Sequence, residues 1–116
     1  MIIGIIGNGF VGKATKQLSN KDIETLIYDI NPELCEPSGL CMKDLNKCDI
    51  IFICVPTPMN KDGSCHLKIL ESVVTQLKDI VNENTFIVVR STVPVGTCNR
   101  LEVCFMPEFL TEKNYI

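Results

Sequence analysis

The chain has 116 residues, which suits one domain and is too short for two domains of ordinary size. Its 46% hydrophobic and 22% charged residues are typical of a soluble globular protein, so intrinsic disorder is excluded. The net charge of −3 gives no reason to expect nucleic acid or an anionic membrane as a partner, and no apolar run approaches the roughly 20 residues of a membrane span.

The chain begins with a predicted strand over residues 1–6, because this stretch is apolar and mostly β-branched, as in parallel strands buried on both faces. A helix is predicted next, since apolar residues recur at helical spacing up to Leu18. Residues 25–30 are the second predicted strand. Residues 31–48 are predicted to be mostly loop, with one helical turn near 42–46.

The third predicted strand, residues 49–55, is the most apolar segment of the chain. Residues 67–81 are predicted to be an amphipathic helix, because apolar residues recur there at steps of three and four, with Asp62 or Ser64 as its N-cap. A strand, a short helix and a last strand are then predicted at 85–89, 97–101 and 102–106. Strands that alternate with helices predict a parallel three-layer α/β sheet, with ligands at the carboxyl ends of the strands.

Gly7, Gly9 and Gly12 form a G-x-G-x-x-G pattern between the first strand and the first helix. In this pattern Gly7 permits a tight turn, Gly9 lets a pyrophosphate approach the backbone, and Gly12 allows close packing of the helix. Asp29 ends the second strand, 22 residues after Gly7, where a carboxylate would accept hydrogen bonds from the ribose hydroxyls. Because this charge would repel the 2′-phosphate of NADP, the pattern predicts NAD as the cofactor.

Lys13 gives an alternative interpretation, since Gly7 to Lys13 also fits the start of the phosphate-binding loop of nucleotide hydrolases and kinases. The next residue is Ala14, so the hydroxyl that would bind magnesium is missing, and Thr15 comes one position late. Asp49 stands at the start of the third strand and not at its ligand-facing end. These residues favour dinucleotide binding, with Lys13 exposed on the first turn of the helix.

The seven cysteines are an odd number at wide spacings, without a C-x-x-C pair, and the single histidine, His66, has no partner at zinc-ligand spacing. Cys54 lies in an apolar strand pattern, where cysteine acts as a small buried hydrophobe. We therefore expect structural, reduced thiols and no metal site, in a cytoplasmic protein. The apolar start has no basic segment before it, so no signal peptide is expected.

Three further segments at predicted strand ends are chemically unusual. Residues 55–58 carry two prolines, which would either end the strand or form a rigid wall for a flat ligand. Residues 90–97 turn a strand end into a helix and place hydroxyls at the ligand edge. Glu108 and Glu112 lie four residues apart, on one face if the stretch is helical, where they would be general bases or solvated surface acids.

Together these motifs resemble the N-terminal NAD-binding domain of the UDP-glucose/GDP-mannose dehydrogenase family. The resemblance covers nearly all of the chain, in order, through residues 7–12, 29, 55–58, 62–63, 91–97 and 107–110. Enzymes of this family are NAD-dependent oxidoreductases of nucleotide-sugar metabolism and polysaccharide biosynthesis. They oxidise the C6 hydroxyl of a nucleotide sugar to a carboxylate in two steps, through a cysteine thiohemiacetal and a thioester.

The resemblance also implies roles for individual residues. The implied cofactor-binding residues are Gly7, Asn8, Gly9, Phe10, Val11, Gly12, Asp29, Val55, Pro56, Thr57, Thr92 and Glu112. The implied substrate-binding residues are Glu108, Phe109, Leu110 and Glu112. Thr92 resembles the residue that orients the hydrolytic water and Glu108 the base that activates it, so these two are the implied catalytic residues.

The chain also departs from the family pattern. The family's catalytic cysteine lies in a glycine-rich, Lys-Asp-containing motif of the C-terminal portion, and none of the cysteines in this sequence lies in such a motif. The family's domain-linking helix, which carries the oxyanion-binding lysine and asparagine, has no match in this sequence either. The connection between Asp29 and Asp49 is much shorter than usual, which predicts the loss of one strand and one helix. We therefore predict a minimal Rossmann-like domain over residues 1–116, with strand order 2-1-3-4-5 and the cofactor cleft between strands 1 and 3. We also predict that this chain by itself cannot complete the oxidation of a nucleotide sugar.

An alternative function is a non-catalytic NAD-binding or partner-binding module, which would use the cleft to sense NAD or to pair with another chain. The expected partners are NAD, a UDP- or GDP-sugar, and a second chain or a further copy of this one. Nucleic acid and membranes are not expected.

Overall fold

The computed structural model describes residues 1–57, 60–63, 67–91, 93–94 and 96–106, and for Phe10 the backbone. Its regular elements are, in chain order, β1 (Ile2–Ile6), α1 (Phe10–Thr15), a 3-10 turn (Lys16–Leu18), β2 (Glu24–Tyr28), two 3-10 turns (Pro32–Leu34 and Met42–Lys47), β3 (Ile50–Ile53), α2 (Lys68–Ile80), β4 (Phe86–Val89), α3 (Thr97–Leu101) and β5 (Cys104–Phe105).

The five strands form one parallel sheet in the order β2-β1-β3-β4-β5, which confirms the predicted fold class and strand order. The last paired residues of the strands form one row across the sheet, made of Tyr28, Ile6, Ile53, Val89 and Phe105. The chain runs from β1 outward to β2 and then back past β1 to β3. This change of direction leaves a crevice at the carboxyl ends of β1 and β3, where ligands bind in such sheets.

Helix α2 is amphipathic, as predicted, and covers one face of the sheet. Its Leu70, Val74 and Leu77 are buried in one cluster with sheet residues that include Ile51 and Ile53. Burying side chains of this size stabilises the fold by about 1.5–3 kcal/mol each. This helix and its cluster therefore form the main core of the domain.

A smaller cluster, made of Ile3, Ile5, Ile27 and Phe52, lies on the opposite face of the sheet. Helix α1 packs close to it, since a Cβ on Gly12 would lie 3.5 Å from the side chain of Ile5. The sheet thus has apolar residues packed on both faces, as expected of a three-layer fold.

Two local predictions were wrong. The first helix is α-helical only as far as Thr15, and Leu18 lies in a 3-10 turn with 44% of its surface exposed instead of facing the core. Helix α2 has Leu67 at its N-cap position, without a side-chain cap, so Asp62 does not cap it, and Ser64 lies outside the described residues. Apolar spacing predicts where a helix lies better than it predicts the hydrogen bonds that end it.

The connection from β2 to β3 contains two 3-10 turns and no strand, in a stretch that the structure describes in full. This agrees with the predicted loss of one strand and one helix. Ile27 and Glu36 exchange two backbone hydrogen bonds, of 2.7 and 2.9 Å, at the outer edge of β2. The connection therefore covers part of an edge that would otherwise be open.

Cys35, Cys41, Cys48, Cys98 and Cys104 are free thiols, and no group of metal-ligating side chains is found among the described residues. Cys35, Cys48 and Cys98 are buried, whereas Cys41 and Cys104 are exposed. Burial also raises the pKa of the Cys98 thiol. No helix within the described ranges is long and apolar enough to cross a membrane.

The Cys48 thiol predicts a loss of stability in alkali. Burial raises its pKa from the ordinary 9.0 to about 11, and Lys47 opposes this increase only in part. Above pH 9 the unfolded chain releases this proton while the folded chain keeps it, so the free energy of unfolding falls as pH rises toward 11. We expect a loss of about 2 kcal/mol by about pH 10.5, measured by urea unfolding over a pH series. Cys48→Ala should lose less stability over the same range, and an identical pH dependence in both proteins would contradict this prediction.

Candidate dinucleotide-binding site

A cavity of about 880 Å³ lies at the carboxyl ends of the strands, beside the point between β1 and β3 where the strand order reverses. The segments that follow β1, β2, β3 and β4 line it, together with one face of α2. Its volume is within the range of small-molecule and cofactor sites. The residues that the sequence placed at strand ends therefore surround one space.

Three glycines shape the loop between β1 and α1. Gly7 has a φ of +98°, and a Cβ on it would lie 2.6 Å from the carbonyl oxygen of Cys54. A Cβ on Gly12 would lie 1.9 Å from the carbonyl oxygen of Gly7. Gly9 has no atom within 4 Å of its Cβ position and lines the cavity. Gly7 and Gly12 are thus required by the packing of the loop, whereas Gly9 leaves room for a ligand.

The carboxylate of Asp29 lies on the cavity wall and is held by two backbone N–H groups. Its Oδ2 accepts from the N–H of Asn8 at 2.8 Å, and its Oδ1 accepts from the N–H of Asn31 at 2.9 Å. Each carboxylate oxygen keeps a further lone pair that can accept a hydrogen bond. Asp29 is therefore fixed in direction and still able to accept hydrogen bonds from hydroxyl groups of a ligand.

Asn8 connects the glycine loop to the segment after β2. Its Nδ2 donates to the carbonyl oxygen of Leu34 at 2.9 Å, and the residue is only 7% exposed. Its Oδ1 is buried without a hydrogen-bond partner among the described residues. A buried acceptor without a partner is costly, so this oxygen is a candidate for a donor group on a ligand or for a water molecule.

The ends of β3 and β4 are joined by a side chain. Ser91 is buried, and its hydroxyl donates to the carbonyl oxygen of Val55 at 2.7 Å. Ser91 lines the cavity, as the sequence predicts, but its hydroxyl is engaged by the protein and ties the two strand ends together. Val55 thereby lies in a fixed position on the cavity wall.

The structure brings together most of the predicted cofactor-binding residues. Those that line the cavity are Gly7, Asn8, Gly9, Val11, Asp29, Val55, Pro56 and Thr57. Gly12 packs against the loop, and the backbone of Phe10 begins α1. The remaining predicted site residues lie outside the described residues, and they are Thr92, Glu108, Phe109, Leu110 and Glu112. Their binding and catalytic roles stay predictions.

Several cavity residues were missed by the sequence reasoning. Lys68, Ser72 and Gln76 of α2 line the cavity, and their spacing of four residues places them on one helix face. That polar stripe beside the apolar face of α2 was a usable signal. Arg90 belongs to the segment 90–97 that the sequence placed at the ligand edge, and it lines the cavity as well, so Lys68 and Arg90 add positive charge to a wall that also holds Asp29.

Comparison with known proteins gives a consistent result. The family model described as "UDP-glucose/GDP-mannose dehydrogenase family, NAD binding domain" matches residues 38–116. The UDP-glucose 6-dehydrogenase of Rickettsia typhi is 34% identical over 86 residues, which cover 65% of this chain and 20% of that protein. The UDP-glucose 6-dehydrogenase of Rickettsia prowazekii is 26% identical over 141 residues, which cover 97% of this chain and 32% of that protein.

Among solved structures, a GDP-mannose dehydrogenase of Pseudomonas aeruginosa, determined as a ternary complex, superimposes with a TM-score of 0.78 at 28% identity, over 96% of this chain and 37% of that one. The chain thus spans between about a fifth and somewhat more than a third of the length of these proteins. The alignment with the R. prowazekii protein is longer than the 116 residues of this chain, so this chain has deletions relative to it. Such deletions agree with the short connection between β2 and β3.

Proposed function

Because the chain belongs to the UDP-glucose/GDP-mannose dehydrogenase family, we propose that it binds NAD in the cavity beside β1 and β3, as the cofactor half of a nucleotide-sugar dehydrogenase. The predicted family is confirmed by the matching model, which describes the family's NAD binding domain. One observation carries the proposal. The open space at Gly9 and the carboxylate of Asp29 lie on the wall of the same cavity.

The residues present fit the pyrophosphate, a ribose and the adenine of an NAD molecule. A pyrophosphate suits the loop at Gly9, where no side chain blocks the backbone and where Lys68 and Arg90 supply positive charge to the same cavity. Ribose hydroxyls suit Asp29, whose oxygens keep free lone pairs. The adenine ring suits the exposed apolar side chain of Ile30 directly after Asp29, because Ile30 is 92% exposed and lines the cavity.

The proposed chemistry is oxidation of a UDP- or GDP-sugar, for which NAD, when bound, would supply the hydride acceptor. In this proposal Glu108 activates the hydrolytic water and Thr92 orients it, while Phe109, Leu110 and Glu112 contact the sugar or the nicotinamide. The support is their place in the chain. Thr92 comes shortly after β4 and Glu108 shortly after β5, and in a parallel sheet both strands end at the cavity edge.

We further propose that residues 1–116 form one NAD-binding domain that does not complete the oxidation by itself. About two thirds of the related P. aeruginosa enzyme has no counterpart in this sequence, and no cysteine here matches the family's catalytic motif. The thiol and the sugar-binding part would then come from further polypeptide or from a second chain. A cytoplasmic location belongs to the same proposal, because the family's substrates are cytoplasmic metabolites.

The test is a calorimetric titration of the chain with NAD, followed by addition of UDP-glucose or GDP-mannose while NADH absorbance is recorded. We expect NAD to bind and no NADH to form. Gly9→Val should abolish binding, because its side chain would fill the space left for the pyrophosphate, while its circular dichroism spectrum stays unchanged. Absence of NAD binding by the unaltered chain, or unchanged binding by Gly9→Val, would contradict the proposed site, and NADH formation would contradict the proposed incompleteness.

A second candidate is a non-catalytic NAD-binding or partner-binding module, because none of the cysteines in this sequence lies in the family's catalytic motif. The two candidates differ in one outcome. If the chain is the cofactor half of an enzyme, mixing it with a polypeptide that carries the family's cysteine motif should restore NADH formation from a nucleotide sugar. A binding module would take up NAD and give no product under the same conditions.

A further inference from the structure

Cys35 holds the backbone of Asp29. This cysteine is only 8% exposed and directly follows the 3-10 turn Pro32–Leu34. Its Sγ accepts a hydrogen bond from the N–H of Asp29 at 3.4 Å and donates one to the carbonyl oxygen of Asp29 at 3.3 Å. One thiol therefore satisfies both backbone polar groups of the residue whose carboxylate lines the cavity.

The pairing of β2 explains why Asp29 needs such a partner. Backbone groups of successive strand residues point alternately to the two edges. Those of Ile27 point outward and bond to Glu36, and the carbonyl of Tyr28 points inward and accepts from Gly7 at 2.8 Å. The backbone groups of Asp29 consequently point outward, to the edge where the connection to β3 contributes no strand. Cys35 occupies the place that an outer strand would fill.

We propose that Cys35 is a positioning residue for Asp29, and that its thiol replaces the missing outer strand where the cofactor's adenosine ribose binds. The inference rests on the proposed function, since it requires that Asp29 binds ribose. Two N–H groups fix the direction of the carboxylate, and Cys35 fixes the backbone from which the carboxylate extends. A carboxylate fixed in advance binds hydroxyls more tightly, because less ordering is needed on binding.

A role in packing alone predicts different behaviour from a role in positioning. If Cys35 only fills apolar space, valine should replace it and serine should not, because burying a hydroxyl costs more free energy than burying a thiol or a methyl group. If it positions Asp29, serine should replace it, since a hydroxyl donates and accepts as a thiol does, and valine should not. The two roles therefore predict opposite orders. Packing alone predicts that serine is the more harmful substitution, whereas positioning predicts that valine lowers the affinity for the ribose more than serine does.

The experiment compares the dissociation constants of NAD and of its 2′-deoxyadenosine analogue, by calorimetry, for the unaltered chain, Cys35→Val and Cys35→Ser. The unaltered chain should favour NAD by about tenfold or more, the usual effect of one hydrogen bond to a charged group. We expect this ratio to fall at least about fivefold in Cys35→Val and to stay within about twofold in Cys35→Ser. Cys98→Val is the matched control, because Cys98 is equally buried and does not line the cavity, and its ratio should not change.

An unchanged ratio in Cys35→Val, or an equal loss in Cys35→Ser, would overturn the positioning role while leaving NAD binding intact. Absence of NAD binding by the unaltered chain would overturn the proposed function itself, and the inference with it. If circular dichroism shows that Cys35→Val is unfolded, Cys35→Ala replaces it in the comparison. Alanine adds no volume and also removes both hydrogen bonds, so the same fall in the ratio is expected.

Discussion

Alanine in place of Gly12 is expected to destabilise the domain by about 3 kcal/mol or more, which is at the upper end for an added methyl group. The new Cβ would lie 1.9 Å from the carbonyl oxygen of Gly7, a backbone atom that cannot rotate away. Relief would require α1 to move away from the end of β1, which would also disturb the contact with Ile5 in the smaller apolar cluster. Urea unfolding followed by circular dichroism measures the effect.

Gly9→Ala is the matched control, three residues earlier in the same loop. No atom lies within 4 Å of the Cβ position of Gly9, and its φ of −85° is extended backbone that alanine adopts without strain. Its free energy of unfolding should therefore change by no more than about 0.5 kcal/mol. If the two variants prove equally stable, the close approach of Gly12 to Gly7 is wrong.

Asn in place of Asp29 is expected to weaken NAD binding by about tenfold to a hundredfold, because hydrogen bonds to a charged acceptor contribute more than those to a neutral one. An amide nitrogen cannot accept the N–H of Asn8 or of Asn31, so one of the two bonds that fix the side chain is lost as well. The preference for NAD over NADP should also decrease, since the negative charge that repels a 2′-phosphate is removed. Calorimetric titration with both dinucleotides measures the two effects.

Asp49→Asn is a close control for this substitution. Asp49 Oδ2 also accepts a backbone N–H at 2.8 Å, from Ile2, but at the amino end of the sheet and away from the cavity. An asparagine can keep this single bond through its amide oxygen, so Asp49→Asn should lose less stability than Asp29→Asn, and only Asp29→Asn should lose NAD affinity. Equal losses of affinity in the two variants would show that the effect of Asp29→Asn does not come from a carboxylate at the cavity.

Much of the fold follows from local patterns in the sequence. Apolar and β-branched runs located all five strands to within a few residues, and the steps of three and four from Leu67 located α2. Strand ends were less well predicted, because a strand ends where its hydrogen bonds to the neighbouring strand end. The two-residue β5, which pairs with β4 at only two positions, is an example. The early end of α1 at Thr15 likewise depends on how the next turn packs, which apolar spacing does not contain.

The candidate site divides in the same way. Gly7, Gly9, Gly12 and Asp29 could be identified from sequence, since a glycine pattern after a strand and an acid after the next strand reflect a local geometric requirement. The polar stripe of α2 also has a regular spacing, but only the packed structure shows that this face of the helix lines the cavity. Position along the chain does not show which helix face meets the strand ends.

By itself, the sequence determined the alternation of strands and helices, the glycine loop and the acid at the end of β2, because each of these depends on residues close together in the chain, whereas the strand order was predicted with the Rossmann-like fold that the family resemblance implies. The tertiary structure alone decided that Cys35 holds the backbone of Asp29, that Asn8 bonds to Leu34, and that Ser91 bonds to Val55. These contacts join separate segments at the carboxyl edge of the sheet, and their partners are set by how the strands pack. An edge that lacks its outer strand must satisfy its backbone groups from whatever side chain the connection brings there, and here that side chain is a cysteine.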